Sequence, residues 1–156
     1  MAKIKYVSGD ETLLDSIDRL WAGLNQQHLD SSPDFKPYYK ALTFEKRKVV
    51  LLQKARTGAL RVELAKDEKA GQHVGYCVSS IDANKVGGIE SLFVEEPYRG
   101  LGIGDALIKS ALIWMDEKGA ETKMVSVAAG NEEAFRFYAR YGFRPRRTVL
   151  EQIKSH

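Results

Sequence analysis

The residues with the clearest chemical purpose lie between Glu95 and Asp105, where the chain reads Glu-Glu-Pro-Tyr-Arg-Gly-Leu-Gly-Ile-Gly-Asp. Glycines at 100, 102 and 104 let successive backbone N–H groups turn toward one point without side-chain obstruction. A helix starting at this point adds the partial positive charge of its first turn. Such a nest binds phosphate or pyrophosphate, with Arg99 as a fixed cation at the rim and Leu107 anchoring the helix. The competing explanation is a tight strand-to-helix turn without a ligand. A dinucleotide fingerprint needs glycine or alanine three positions after its second glycine, where this chain has Asp105 or Leu107, and no acidic residue ends the next strand. A nucleotide P-loop is excluded because no Gly-Lys-Ser/Thr follows.

A second group lies downstream. Tyr138 shares a helical stripe with Ala134, Phe137 and Tyr141, so it is either a packed core aromatic or a phenol able to donate a proton in a dry site. Asn131 fits the cap of that helix as well as a ligand contact. Glu90 sits among Ile89, Leu92, Phe93 and Val94, where a carboxylate must be paired or face a wet cleft. With a raised pKa it would suit removal of a proton from an ammonium; otherwise it is a structural ion pair. His28 continues the apolar stripe of the first helix and is either a core histidine or a wall of a site. His73 and His156 have no acid or cysteine at metal-ligand spacing, so no metal is expected. No Ser-His-Asp or Cys-His arrangement points to an acyl-enzyme.

These groups need a scaffold. Ile4 to Val7 reads as a short strand. Ser8 and Glu11 have capping-box spacing before an amphipathic helix carrying Leu13, Leu14, Ile17, Leu20, Trp21 and Leu24 to about Asp30. Ser31 to Lys40, with Pro33 and Pro37 beside Phe35, Tyr38 and Tyr39, reads as a loop that forms a lid or pocket wall. A second helix follows from Thr43 to about Ala55. Alternation around Leu60, Val62 and Leu64, then Val74 to Ile81 and Ile89 to Val94, predicts three strands joined by short turns as an antiparallel meander. A helix from Ile103 to Lys118-Gly119, a strand at Met124 to Ala128, a helix from Asn131 to Tyr141 and a last strand from Arg144 to Ile153 complete the pattern.

On these residues the chain resembles the GNAT acetyltransferases. Arg99-Gly100-Leu101-Gly102-Ile103-Gly104 is similar to that family's Arg/Gln-x-x-Gly-x-Gly/Ala signature, and Asn131 to Tyr138 with Tyr141-Gly142-Phe143 is similar to its Asn-x-x-Ala-x-x-Phe-Tyr and Gly-Phe motif. The resemblance implies an α/β fold with a mixed, largely antiparallel sheet flanked by helices and splayed at an acetyl-CoA site. It further implies backbone contacts from Leu92, Phe93 and Val94 to pantetheine, and phosphates wrapped by Gly100 to Asp105. Asn131 would touch the cofactor, Tyr138 would protonate the departing thiolate, and Glu90 stands where some members carry a base. A cytoplasmic N-acetyltransferase is expected, acting on a small amine such as a polyamine, amino acid or antibiotic, or on a protein amino group. The alternative is an acyl-CoA-binding regulatory module without turnover. A homodimer is expected from family habit and from apolar residues in the last strand and the Phe35 to Tyr39 loop.

Composition sets the outer limits. At 156 residues, 44% of them hydrophobic, the chain is expected to form one domain over 1–156 with a single core. Its 24 basic and 21 acidic residues are interspersed, so the formal charge of +3 predicts no nucleic-acid partner. No apolar run approaches a bilayer's thickness, and the lone Cys77 cannot form an internal disulfide, which suits a reducing compartment.

Overall fold

The computed structural model describes residues 1–154; His156 lies outside them. Strands β1 (Ile4–Gly9), β2 (Gly58–Asp67), β3 (Gln72–Asp82), β4 (Val86–Val94) and β5 (Thr122–Val125) form one open sheet in the order β1-β2-β3-β4-β5. β2, β3 and β4 pair antiparallel as the predicted meander, β1 adds antiparallel to the free side of β2, and β5 runs parallel to β4 after a helical crossover. Helices α1 (Asp18–Ser31), α2 (Lys36–Ala41) and α3 (Phe44–Thr57) precede β2. The crossover helix is α4 (Ile103–Glu117), and α5 (Glu133–Ala139) follows β5.

Alternation on the central strands sends side chains into two cores. Leu60, Val62, Leu64, Tyr76 and Val78 meet Leu14, Leu20, Trp21, Phe44 and Leu51. On the other side Cys77 and Ile89 meet Ile103, Leu107, Ile108, Ala111 and Met115 of α4, with Phe137, Tyr138 and Tyr141 packed at the edge. Each fully buried Leu or Ile contributes roughly 1.5–3 kcal/mol. The turn from α3 into β2 depends on Gly58, because a Cβ there would sit 2.0 Å from the Ile81 carbonyl oxygen.

Four local expectations are corrected. Asp10, not Ser8, caps the first helical segment: its carboxylate accepts the Thr12 N–H at 2.9 Å, and residues Glu11–Ile17 wind as a 3₁₀ helix before α1. Ser8 is in β1, paired with Glu63. The segment from Ser31 to Lys40 is not all loop, since Pro37 sits in the first turn of α2, where its fixed φ and missing N–H suit a helix start. Asn131 is not the cap of α5; Glu132 takes that position, without a side-chain bond. Finally, Arg144 to Ile153 forms no strand among the described residues, and Val149 and Leu150 are 82% and 91% exposed. Arg144 instead folds back, donating to the carbonyls of Ala139 at 3.1 Å and Phe143 at 2.9 Å.

Candidate active site

β4 makes the site where its pairing with β5 ends and its register with β3 shifts. On the β5 side, pairing ends at Ile89 opposite Val125, so from Glu90 to Val94 that edge faces an opening. On the β3 side the register shifts, with Ile89 opposite Ser79 and Ser91 opposite Val78. Glu90 is therefore the extra residue of a β-bulge, the device by which a strand bends and re-aims a side chain.

A cavity of about 550 Å³ fills the opening. One wall is β4 from Ile89 to Val94, and the other is Val125 to Ala128 with Asn131, Ala134, Phe137 and Tyr138. Arg99, Gly100, Gly102, Ile103, Gly104 and Asp105 close one end, while Leu24, Gln27 and His28 of α1 border it. Every predicted site residue lines this cavity except Leu101, whose side chain points away and is 60% exposed.

The glycine loop has the conformation that its composition demands. Gly100 and Gly102 lie at φ +80 and +83, and a Cβ on either would meet no protein atom within 4 Å. The space before those backbones is therefore open. Ala106 N–H makes the first bond of α4, to Gly102 O at 3.0 Å, which leaves the preceding amides of the first turn without helical acceptors. They can hold phosphate oxygens. The Asp105 carboxylate is turned aside, hydrogen-bonded by Tyr141 and paired with Lys109 at 3.0 Å, and these two partners hold its pKa down. Arg99 is fixed by Nε to the Val94 carbonyl and by Nη2 to Gln27 Oε1, both at 2.9 Å, above the Phe93 ring.

Tyr138 is held by edge-on contacts with Phe137 and Phe143, with ring centroids 5.1 and 5.7 Å away. Burial, with smaller effects from Cys77 and Tyr76, drives its pKa far above the ordinary tyrosine value. The phenol thus keeps its proton at any working pH.

Of the two readings of Glu90, the structure has the ion pair and not the raised pKa. Burial pushes the carboxyl up, but the Ser80 hydroxyl at 2.6 Å, the Lys54 ammonium at 2.9 Å from both oxygens and the Arg47 guanidinium at 3.6 Å outweigh it. The net shift is downward, so Glu90 is a carboxylate at neutral pH. Sequence reasoning missed Ser80, Arg47 and Lys54, which lie on β3 and α3, 10 to 43 positions away in the chain. His28 is a half-buried wall of the cavity and not a core residue: its ring lies 5.5 Å from that of Tyr39 on α2, and burial lowers its pKa.

A splayed parallel seam, a glycine-lined loop opening onto a helix start and a protonated phenol thus meet in one cavity. Residues 21–143 match the acetyltransferase (GNAT) family. This chain belongs to that family. It is 33% identical over 88 residues to an uncharacterized N-acetyltransferase of Methanocaldococcus jannaschii, an alignment covering 53% of this chain and 39% of that one. The chain thus spans about two fifths of that relative's length. It is 29% identical over 140 residues to an uncharacterized N-acetyltransferase of Archaeoglobus fulgidus, covering 83% of this chain and 86% of that one. Its fold is similar to that of AAC(6')-Iy in complex with the bisubstrate analog CoA-S-monomethyl-acetylneamine, with a TM-score of 0.64 and 20% identity over 98% of this chain and 99% of that one. No described helix is long and apolar enough to cross a membrane.

Proposed function

We propose that this protein is an N-acetyltransferase that moves an acetyl group from acetyl-CoA directly to a primary amine. The observation that carries this reading is the convergence of the Gly100 to Asp105 amides, the free edge of β4 and the Tyr138 hydroxyl on one cavity. The loop amides and Arg99 hold the pyrophosphate, and β4 from Leu92 to Val94 offers backbone groups to pantetheine and to the thioester oxygen. Asn131, free of capping duty, lines the same path.

The amine nitrogen attacks the thioester carbonyl, forming the C–N bond, and collapse of the tetrahedral adduct breaks the C–S bond. Glu90 draws the incoming ammonium by its charge and takes its proton through water, since its lowered pKa makes it a weak direct base. Tyr138 gives its proton to the leaving sulfur, and the second proton, which the nitrogen loses on becoming an amide, restores the phenol through water. The bisubstrate analog bound by the structurally similar AAC(6')-Iy joins CoA to an acetylated amine, which supports a direct transfer.

The test is release of CoA thiol on adding acetyl-CoA and a panel of amines, with product mass raised by one acetyl group. Binding of acetyl-CoA without turnover on any amine would favour a regulatory module instead. We also propose a homodimer in the cytoplasm, supported by the open edge of β5 and the exposed Val149 and Leu150. Sedimentation showing only single chains at micromolar protein would exclude the dimer.

A further inference from the structure

A second cavity of about 580 Å³ lies against the first half of β4 and shares Ile89, Glu90, Val125 and Ser126 with the first. Its charged lining is Arg47 and Lys54 from α3, Asp82 at the end of β3, and Glu90, with hydroxyls from Thr57 and Ser80. Asp82 is committed to the β3–β4 turn, where its Oδ1 accepts the N–H groups of Asn84 at 2.9 Å and Val86 at 3.0 Å. That leaves one carboxylate, Glu90, between two cations.

The two cations are differently used. Lys54 Nζ spans both Glu90 oxygens and is 44% exposed at its side chain, so it can turn away at little cost. Arg47 is only 24% exposed and spends Nη2 on the Glu90 carbonyl at 2.7 Å. Its Nε and Nη1 have no acceptor among the described residues. A largely buried guanidinium with unspent donors on a cavity wall is matched by a planar anion.

Resting on the acetyl-transfer reading above, we infer that the second cavity receives the acceptor, and that the acceptor carries a carboxylate close to its amine, as an amino acid does. The acceptor ammonium replaces Lys54 on Glu90, and its carboxylate takes the freed Lys54 and the spare donors of Arg47. After the exchange Glu90, Arg47, Lys54 and both charges of the acceptor are paired, while Asp82 stays hydrogen-bonded in its turn. A polyamine would bring only positive charge against Arg47 and Lys54, and a lysine side chain on a protein surface would leave Arg47 unanswered.

The test measures kcat/KM, by thiol release and product mass, for alanine and glutamate, each beside its α-amide and its α-decarboxylated amine, with spermidine as the polycation. The α-amides are the less basic amines, so a preference for the acids cannot arise from easier deprotonation. Each acid is expected to exceed its amide by about 10- to 100-fold, the range for a charged hydrogen-bond pair, chiefly through KM. Arg47→Met and Lys54→Met are each expected to shrink that ratio to within about three-fold; Lys54→Met carries the test if Arg47→Met does not fold. Amides, decarboxylated amines or spermidine turning over as well as the acids overturns this inference alone. A preference that survives in both variants does the same. Failure of every amine to consume acetyl-CoA overturns the acetyl-transfer reading with it.

Discussion

Replacing Tyr138 with phenylalanine isolates one proton. The ring is positioned by its edge-on contacts with Phe137 and Phe143. Tyr138→Phe therefore keeps the packing, and stability should change by no more than about 0.5 kcal/mol. What disappears is the only acidic proton that the ring brings to the cavity. General-acid catalysis is worth roughly 10²–10⁴-fold, or about 3–5 kcal/mol of barrier, so kcat should fall by that factor while acetyl-CoA affinity stays nearly intact. Because burial holds the Tyr138 pKa far above its ordinary 10, the wild-type kcat should show no alkaline decline from this group below pH 10. The assay is steady-state thiol release with one established acceptor, beside a melting curve for each protein. A phenylalanine variant with more than about a third of wild-type kcat would refute the assignment and return the proton to water.

Three other perturbations follow from the geometry. Gly102→Val places a β-branched residue at φ +83 in the glycine turn; the expected cost is about 1–3 kcal/mol of backbone strain, with loss of the Tm increase expected when acetyl-CoA is added to the wild type. Glu90→Gln should lower kcat/KM for amines about ten-fold or more. Because the folded pKa of Glu90 is depressed, its stabilisation is present above the unfolded value near 4.5 and lost as pH falls through the folded one, so melting curves of the Gln variant should lack that acid slope. The opposite sign holds for Cys77, whose thiol burial pushes up to about 12 from an ordinary 9. Its stabilisation is complete below pH 9 and lost as pH rises toward 12, and Cys77→Ala should flatten that alkaline decline in melting temperature.

The sheet was legible because Leu60, Val62 and Leu64 alternate strictly, and because chain reversals at Lys66 to Gln72 and Asp82 to Gly88 leave room only for a meander. The glycine turn into α4 was equally legible, since glycine spacing and a helix start are local properties. Glu90 was found as a charged residue on an apolar strand, yet the direction of its pKa shift was not. That direction is set by Arg47 and Lys54, which α3 brings over the bulge, and no local pattern encodes such a long-range meeting. The cap at Asp10 was lost to a competing capping-box pattern two residues earlier. The final segment misled for another reason: alternation describes a chain suited to a sheet, but a strand exists only where a neighbour supplies a ladder, and Arg144 to Ile153 has none among the described residues.

The short seam between β4 and β5 divides the molecule mechanically. Four residue pairs, from Val86 with Thr122 to Ile89 with Val125, are all the ladder that joins β5 to the meander, whereas β2 and β3 pair along nearly their full lengths. Opening that seam would expose the α5 contacts of Phe137 and Tyr138 without unfolding the remaining sheet. The chain from β5 onward is thus a leaf on a narrow hinge, and its amides in β5 and α5 should exchange with solvent through smaller openings than those of β2 and β3. A molecule that lies along the free edge of β4 bridges both leaves. It would slow their separation, so that occupancy of the cleft is written into the hydrogen exchange of residues it never touches.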